Sequence, residues 1–295
     1  MLFPGLNGLP LGKVLIRTVK EFIDDEMSTY ASALAYQMLF SLFPFILFLI
    51  ALIGFLHLPD FFTWLRLQSE LVLPPQALEQ VNPVIDQLQQ SKGGLLSVGI
   101  VIALWTASAG VRLMMSAMNA AYDVVEGRPI WKRFPLSIFY TIGIAGMLLV
   151  AAALMVLGPQ VMSWLAGQVG LEDFVVTLWT ILRWPAIILL MMVAVALMYY
   201  VMPDVEQKFR FITPGSVLAV VVWIVASLGF AFYVKTFADY NAMYGSIGAI
   251  IVLLLYFYIS SAVLLLGAEM NAVIEHMSAE GKNPGEKTFD EADDP

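Results

Sequence analysis

The sequence from residue 247 to residue 269 reads IGAIIVLLLYFYISSAVLLLGAE, and it carries no charged side chain before Glu269. A helix needs about 20 mostly apolar residues to cross the hydrocarbon core of a bilayer. This segment is long enough to do so. It is also apolar almost all round, which is typical of a helix that lies in lipid rather than on the surface of a soluble protein.

Five other segments of the chain have the same character. Together the six segments contain only three of the chain's 38 charged residues, namely Arg112, Arg183 and Glu269. We therefore predict an all-α, polytopic membrane protein with six transmembrane helices. The predicted spans are residues 34–56, 95–117, 136–158, 180–201, 214–234 and 247–269.

The composition of the whole chain supports this class. Of its 295 residues, 60% are hydrophobic and 13% are charged, whereas soluble domains have roughly 45–50% apolar and about 25% charged residues. The net charge of −8 argues against nucleic acid as a partner, since binding it requires a basic face. The chain has no cysteine, which excludes disulfides, thiolate metal sites and cysteine nucleophiles.

The distribution of Lys and Arg predicts the orientation of the spans. Ten of the cations outside the spans fall on one side of the predicted membrane and three fall on the other. Because cytoplasmic loops carry an excess of these residues, we expect both termini to be cytoplasmic.

Three segments lie outside the predicted transmembrane domain of residues 34–275. We predict that residues 1–33 are a cytoplasmic or interfacial amphipathic segment, that residues 57–94 form a helical periplasmic cap, and that residues 276–295 are an acidic disordered tail. The first segment contains a predicted helix at 11–26, for which a plain helix packed on the cytoplasmic face is the alternative. Its less polar side holds Val14, Leu15, Thr18, Val19 and Phe22.

Polar residues recur every three or four positions along the second predicted span, at Trp105, Ser108, Arg112, Ser116, Asn119 and Asp123. This spacing places them on one face of a helix. The first and sixth spans carry weaker stripes. Because polar groups in a bilayer are costly unless they face other helices or water, we predict a polar, cytoplasm-facing cavity lined by these three spans. The candidate substrate-binding residues are Gln37, Ser41, Ser108, Arg112, Ser116, Asn119, Asp123, Tyr256, Ser260, Glu269 and Asn271.

Arg112 is the one charged residue well inside a predicted span. A buried guanidinium needs a counter-charge, and Glu269 and Asp123 are the candidates. Two interpretations remain open. Arg112 either fastens helices together or reaches the interface, or it binds an anionic group of a substrate, because guanidinium holds carboxylate and phosphate in a forked geometry.

Motifs of common catalytic sites are missing from the sequence. It contains no Walker A, GxSxG or HExxH pattern, and no Cys/His metal spacing. The two histidines, His57 and His276, are predicted to lie on opposite sides of the membrane. We therefore expect no enzymatic activity, no cofactor and no metal site, with an intramembrane enzyme using Glu269 and Asp123 as the alternative.

Several segments resemble the YihY/BrkB family of bacterial inner-membrane proteins. They are ASALAYQMLFSLFP at 31–44, WTASAG at 105–110, AMNAAYDV at 117–124, YGSIG at 244–248 and LGAEMN at 266–271. The resemblance covers roughly residues 15–275 and implies six helices in the bacterial inner membrane. The family has carried the label ribonuclease BN, which we regard as a misassignment, and it is suspected of transport, including that of lipids or lipid-linked anions. The matching motif positions are Gln37, Ser41, Pro44, Trp105, Ser108, Asn119, Tyr122, Tyr244, Gly245, Gly248, Gly267, Glu269 and Asn271.

Three functions follow as hypotheses. The leading one is a transporter or flippase for an anionic small molecule or lipid. The second is a structural or scaffolding membrane protein without transport, and the third is a membrane-bound ribonuclease. Membrane lipids are expected partners, and the small residues Gly143, Ala145 and Gly146 could support a homo-oligomer.

Overall fold

The computed structural model describes residues 9–55, 94–156, 172–205, 211–236 and 240–277. All regular secondary structure within these ranges is helical, which confirms the predicted all-α class. The predicted tail beyond residue 277 lies outside the described residues, and so does the predicted cap except for its last residue. The helices are α1 (Leu11–Asp24), α2 (Met27–Phe55), α3 (Gly94–Ala121), α4 (Ile130–Val156), α5 (Glu172–Val201), α6 (Pro214–Thr236) and α7 (Tyr240–Met277).

Within the residues that the structure describes, four helices contain a stretch that is long and apolar enough to cross a membrane. They overlap four of the predicted spans. The remaining two, 34–56 and 136–158, fall on α2 and α4, and each extends beyond the described end of its helix. The four stretches are Val101–Ala121 in α3, Thr177–Val201 in α5, Pro214–Lys235 in α6 and Ile250–Met277 in α7.

The chain divides into two compact units, one of residues 37–110 and one that contains the rest. In the larger unit, α7 packs against α1 and α6, and α5 packs against α4 and α6. Its main core lies where helix ends meet: the start of α2, the end of α3, the end of α5, the start of α6 and the late part of α7. The core residues are Met27, Ala31, Leu34, Met114, Met115, Ala117, Met118, Ala121, Tyr122, Tyr199, Met202, Ala219, Leu265, Ala268 and Ala272.

Large apolar side chains are exposed along the helices away from this core. Ile181 of α5, Leu228 of α6 and Ile251 of α7 are examples. A soluble monomer rarely exposes apolar surface on this scale. These surfaces are therefore suited to contact lipid, in agreement with the composition.

The start of α6 is defined by a capping box. Thr213 Oγ1 accepts a hydrogen bond from Ser216 N at 3.1 Å, and Ser216 Oγ accepts one from Thr213 N at 3.0 Å. Pro214 occupies the first helical position, where its missing N–H leaves no extra group unsatisfied.

The backbones of α6 and α7 approach closely at two glycines. A Cβ added to Gly267 would lie 2.6 Å from Gly215 O, and one added to Gly215 would lie against Gly267 O. Small residues allow this kind of contact between membrane helices. The position of α7 relative to the start of α6 therefore depends on glycine at both places.

Candidate functional site

A cavity of about 390 Å³ lies between the end of α3 and the start of α4. Its described lining residues come from these two helices, whereas the sequence predicted a cavity lined by the first, second and sixth spans. The pocket lies where α4 begins, at Ile130, six residues before the start of the predicted span at 136. The lining residues are Arg112, Leu113, Ser116, Ile130, Arg133 and Phe134.

Arg112 is held by α4. Its Nη1 donates a hydrogen bond to Ser137 Oγ at 3.1 Å, and its guanidinium carbon lies 4.1 Å from the centre of the Phe134 ring. Stacking of a guanidinium on an aromatic face is favourable, and more so where water is excluded. These contacts fix the direction of the Arg112 side chain at the edge of the cavity.

A second arginine, Arg133, lies beside the first. Its Nη2 donates to the backbone oxygen of Arg112 at 2.9 Å and to Ser116 Oγ at 2.6 Å. Ser116 Oγ also donates to the Arg112 oxygen at 3.2 Å. The pocket thus brings two guanidinium groups and a hydroxyl together. The counter-charges predicted for Arg112 are Glu269 and Asp123, and Arg133 is not among the predicted site residues.

Glu126, in the turn between α3 and α4, forms an ion pair with Arg133 but does not line the pocket. Its Oε2 lies 3.5 Å from Arg133 Nε and accepts a hydrogen bond from Asn119 Nδ2 at 3.1 Å. Its Oε1 accepts one from Arg128 Nε at 2.6 Å. Burial alone would raise the pKa of Glu126, but the hydrogen bonds and charge of Arg128, with the charge of Arg133, outweigh burial and lower this pKa.

Asp204, just after α5, joins the same network. Its Oδ2 accepts a hydrogen bond from Gly127 N at 2.8 Å, and its Oδ1 lies 3.6 Å from Arg128 Nε. Its backbone N donates to Asn119 Oδ1 at 2.8 Å. Asn119 was predicted to bind substrate. In the structure it is buried and links the end of α3 to the end of α5.

Replacing Glu126 with glutamine should remove a pH-dependent part of the stability. Because the folded pKa of Glu126 is lowered, its contribution is complete above the unfolded value of about 4.3 and is lost as the pH falls through the folded value. We expect Glu126→Gln to have a lower melting temperature than the parent at pH 7. The difference between the two melting temperatures should become smaller as the pH falls. Thermal melts across pH test this, with Asp24→Asn, on the exposed end of α1, as the control. Equal melting at pH 7 would contradict it.

Two further predicted site residues on α7 face α6. Tyr256 OH and Ser227 Oγ lie 3.2 Å apart, and Ser260 Oγ accepts a hydrogen bond from Trp223 Nε1 at 3.1 Å. Such polar pairs are a common way of joining helices in a membrane. Their observed contacts are therefore interhelical.

Asn271 binds the first turn of α6. Its Oδ1 accepts a hydrogen bond from Gly215 N at 2.9 Å, and its Nδ2 donates to Thr213 Oγ1 at 2.9 Å. Two residues before it, Glu269 is fully buried. Asp123, by contrast, is exposed and follows α3 with a positive φ of 49°.

Asn271→Ala should destabilise the contact between α6 and α7. The substitution removes the acceptor for Gly215 N, and loss of a helix N-terminal partner costs about 0.5–2 kcal/mol. We expect a lower melting temperature in detergent, with a smaller loss for Asn271→Asp, which keeps an acceptor oxygen. An Asn271→Ala protein with the same melting temperature as the parent would contradict a stabilising role of this contact.

The remaining predicted residues belong to the smaller unit. Gln37 Nε2 donates to Thr106 O at 2.9 Å, and Ser41 Oγ donates to Gln37 O at 2.7 Å and to Thr106 O at 3.4 Å. Ser108 is fully buried and donates to Trp105 O at 2.9 Å. We call the cavity between α3 and α4 the arginine pocket. Of the eleven predicted site residues, Arg112 and Ser116 line it.

Comparison with known proteins places the chain in a family. The family model described as virulence factor BrkB matches residues 18–291. A putative ribonuclease-like protein YfkH from Bacillus subtilis is 38% identical over 84% of this chain and 90% of its own length. A UPF0761 membrane protein from Stenotrophomonas maltophilia is 27% identical over 85% of this chain, and one from Xanthomonas campestris is 26% identical over 85%.

In both UPF0761 relatives the match spans 58% of the relative's length. No solved structure matches the chain. The family match and the apolar helices agree with the resemblance seen in the sequence motifs. The chain belongs to the virulence factor BrkB family and is a membrane protein.

Proposed function

We propose that this protein transports an anionic small molecule or lipid across the bacterial inner membrane, and that the pocket between α3 and α4 binds the anionic group. The observation that carries the proposal is the presence of Arg112 and Arg133 in the lining of one cavity. The proposal includes six spans with both termini in the cytoplasm, so that the pocket opens toward the cytoplasmic side.

The charges of the pocket favour an anionic ligand. Two guanidinium groups in one partly buried cavity repel each other, and a bound anion would relieve that repulsion. Each guanidinium can bind a carboxylate or a phosphate oxygen pair in a forked geometry. The arrangement therefore has the donors that an oxyanion requires.

The apolar residues of the pocket favour an amphiphile within this class. Leu113, Ile130 and Phe134 line the same cavity as the two arginines. Ile130 is 75% exposed, so the apolar wall continues to the surface of the protein. A lipid could place its headgroup between the arginines and its chain along this apolar wall.

Flux measurements in proteoliposomes test the proposal. The parent protein should move at least one anion of a panel containing phosphate, sulfate, a dicarboxylate and a labelled acidic phospholipid, faster than protein-free vesicles do. Arg112→Ala should slow that flux, and Glu269→Gln tests the buried carboxylate of α7. The proposal fails if the parent moves none of these compounds, or if Arg112→Ala moves all of them as fast as the parent.

A structural or scaffolding role is the second candidate. It is favoured by the interhelical contacts of Tyr256, Ser260 and Asn271, which engage three predicted site residues in packing. In that case the arginine pocket would be dry, and no flux would depend on it. The scaffold would instead require a partner protein that copurifies in a fixed ratio.

A ribonuclease remains the third candidate, because the relative from Bacillus subtilis is called a putative ribonuclease-like protein. Among the described residues, no group of three or more His, Asp or Glu side chains is placed to hold a metal ion. Metal-dependent RNA cleavage by the purified protein, lost in Asp123→Asn or Glu269→Gln, would support this activity over transport.

A further inference from the structure

The polarity of α1 is the reverse of that of a helix on a soluble protein. Its outward residues Ile16, Ile23 and Val19 are 74%, 67% and 52% exposed, whereas Thr18 and Glu21 are buried. A surface helix in water turns its apolar face toward the core and its polar face outward. α1 instead turns polar groups toward the protein and leaves aliphatic side chains outside.

The inward side of α1 packs on the end of α7. Val14 lies in a buried cluster with Met270, Val273 and Ile274 of α7. On the same side, Thr18 Oγ1 donates a hydrogen bond to Val14 O at 2.8 Å. The sequence predicts Val14 and Thr18 on the less polar side of an interfacial helix, whereas in the structure both are buried against the protein.

The buried polar groups of α1 satisfy one another locally. Arg17 Nε lies 2.7 Å from Glu21 Oε1, one turn further along the helix. This ion pair allows charged side chains to remain on the inward side. Because these two charged residues pair on the inward side, they do not interrupt the apolar outward side of α1.

The outward side is a continuous apolar stripe of five exposed residues. Their spacing places them in one sector of the helix. Lys13 and Lys20, which are exposed and seven residues apart, lie in a different sector. We define the exposed stripe as Leu11, Leu15, Ile16, Val19 and Ile23.

The contact of α1 with α7 indicates the depth of the apolar stripe relative to the bilayer. The α7 residues that α1 contacts belong to the last part of the apolar stretch Ile250–Met277, near its end. A helix packed there lies near the surface of the bilayer. Exposed aliphatic side chains at that level meet acyl chains, and lysines can reach the headgroups.

We infer that α1 lies in the membrane interface, with the apolar stripe inserted among the acyl chains and with Lys13 and Lys20 among the headgroups. The occupant of the stripe is bilayer lipid. The helix then has three different neighbours: α7 on one side, acyl chains on the second, and headgroups or water on the third. This inference is independent of any transport activity.

Spin-label accessibility tests the inference directly, since the chain has no cysteine that would need to be removed. Single substitutions Ile16→Cys, Val19→Cys and Ile23→Cys are labelled in the full chain and reconstituted in phospholipid vesicles. The matched controls on the same helix are Lys13→Cys, Lys20→Cys and Asp24→Cys. Collisions are measured with oxygen, which concentrates in lipid, and with a water-soluble nickel chelate.

Labels on the apolar stripe should collide with oxygen and be protected from nickel, whereas the three control labels should be accessible to nickel. Equal nickel accessibility at all six positions would overturn the inference by placing α1 in water. Protection of the stripe from both reagents would also overturn it, because protein rather than lipid would then cover these residues.

Discussion

Replacing Gly267 with alanine should sharply lower the melting temperature of the purified protein. The new Cβ would lie 2.6 Å from Gly215 O, 2.8 Å from Ala219 Cβ and against the Tyr199 hydroxyl. One of these atoms is backbone and another belongs to a buried core residue, so neither can move aside without shifting a helix. Overpacking typically costs about 1–3 kcal/mol and occasionally more, and we expect this substitution at or above the upper end.

Gly215→Ala should have a comparable effect, because its Cβ would meet Gly267 O and lie 2.6 Å from Asn271 Oδ1. The matched controls are Gly143→Ala and Gly229→Ala, whose added Cβ would meet nothing within 4 Å. Both controls lie in helices and should melt at or above the parent, since alanine favours a helix by about 1 kcal/mol over glycine. If Gly267→Ala had the same melting temperature as these controls, the close contact of α6 and α7 would be contradicted.

Replacing Arg133 with alanine should weaken the binding of the transported anion by about 10- to 150-fold, because a hydrogen bond to a charged group contributes about 1.5–3 kcal/mol. Arg112→Ala should have an effect of the same order. The affinity is obtained from the way the melting temperature rises with anion concentration, since a ligand that binds only the folded state stabilises that state. This prediction depends on the proposed transport function for the choice of anion.

Lys132→Ala is the matched control for Arg133→Ala. Lys132 is adjacent in sequence and exposed, and its Nζ lies 5.1 Å from the centre of the Trp131 ring rather than in the pocket lining. Its loss should leave the affinity nearly unchanged, and Arg133→Lys should give an intermediate affinity because it keeps the charge but loses the fork. Equal weakening by Lys132→Ala and Arg133→Ala would indicate general attraction to positive charge and not a defined site.

The helical class and four of the spans could be predicted because apolar length is a local property. The stretch Ile250–Met277 in α7 is apolar whatever its neighbours are. Arg133 is absent from the predicted site for a related reason. α4 begins at Ile130, before its apolar part, so the predicted span at 136–158 does not include its first turn.

The partners of each polar residue could not be predicted from spacing. The stripe on α3 gives a direction for each side chain, but it does not say which helix lies in that direction. Ser108 belongs to the smaller unit, Arg112 contacts α4, and Asn119 contacts Asp204 after α5. Asn271 shows the same limit, because its role depends on the capping box of α6, which is distant in sequence.

Access of charged thiol reagents to the arginine pocket tests the central claim most directly. Leu113→Cys introduces the only cysteine of the chain next to Arg112, and Leu228→Cys, on the exposed apolar side of α6, is the control. We predict that an anionic methanethiosulfonate reagent modifies Leu113→Cys faster than a cationic one. This preference should disappear when Arg112→Ala and Arg133→Ala are added, and Leu228→Cys should react with neither reagent. A Leu113→Cys protein that reacts with neither reagent, or with both equally, would contradict an anion-binding pocket between α3 and α4.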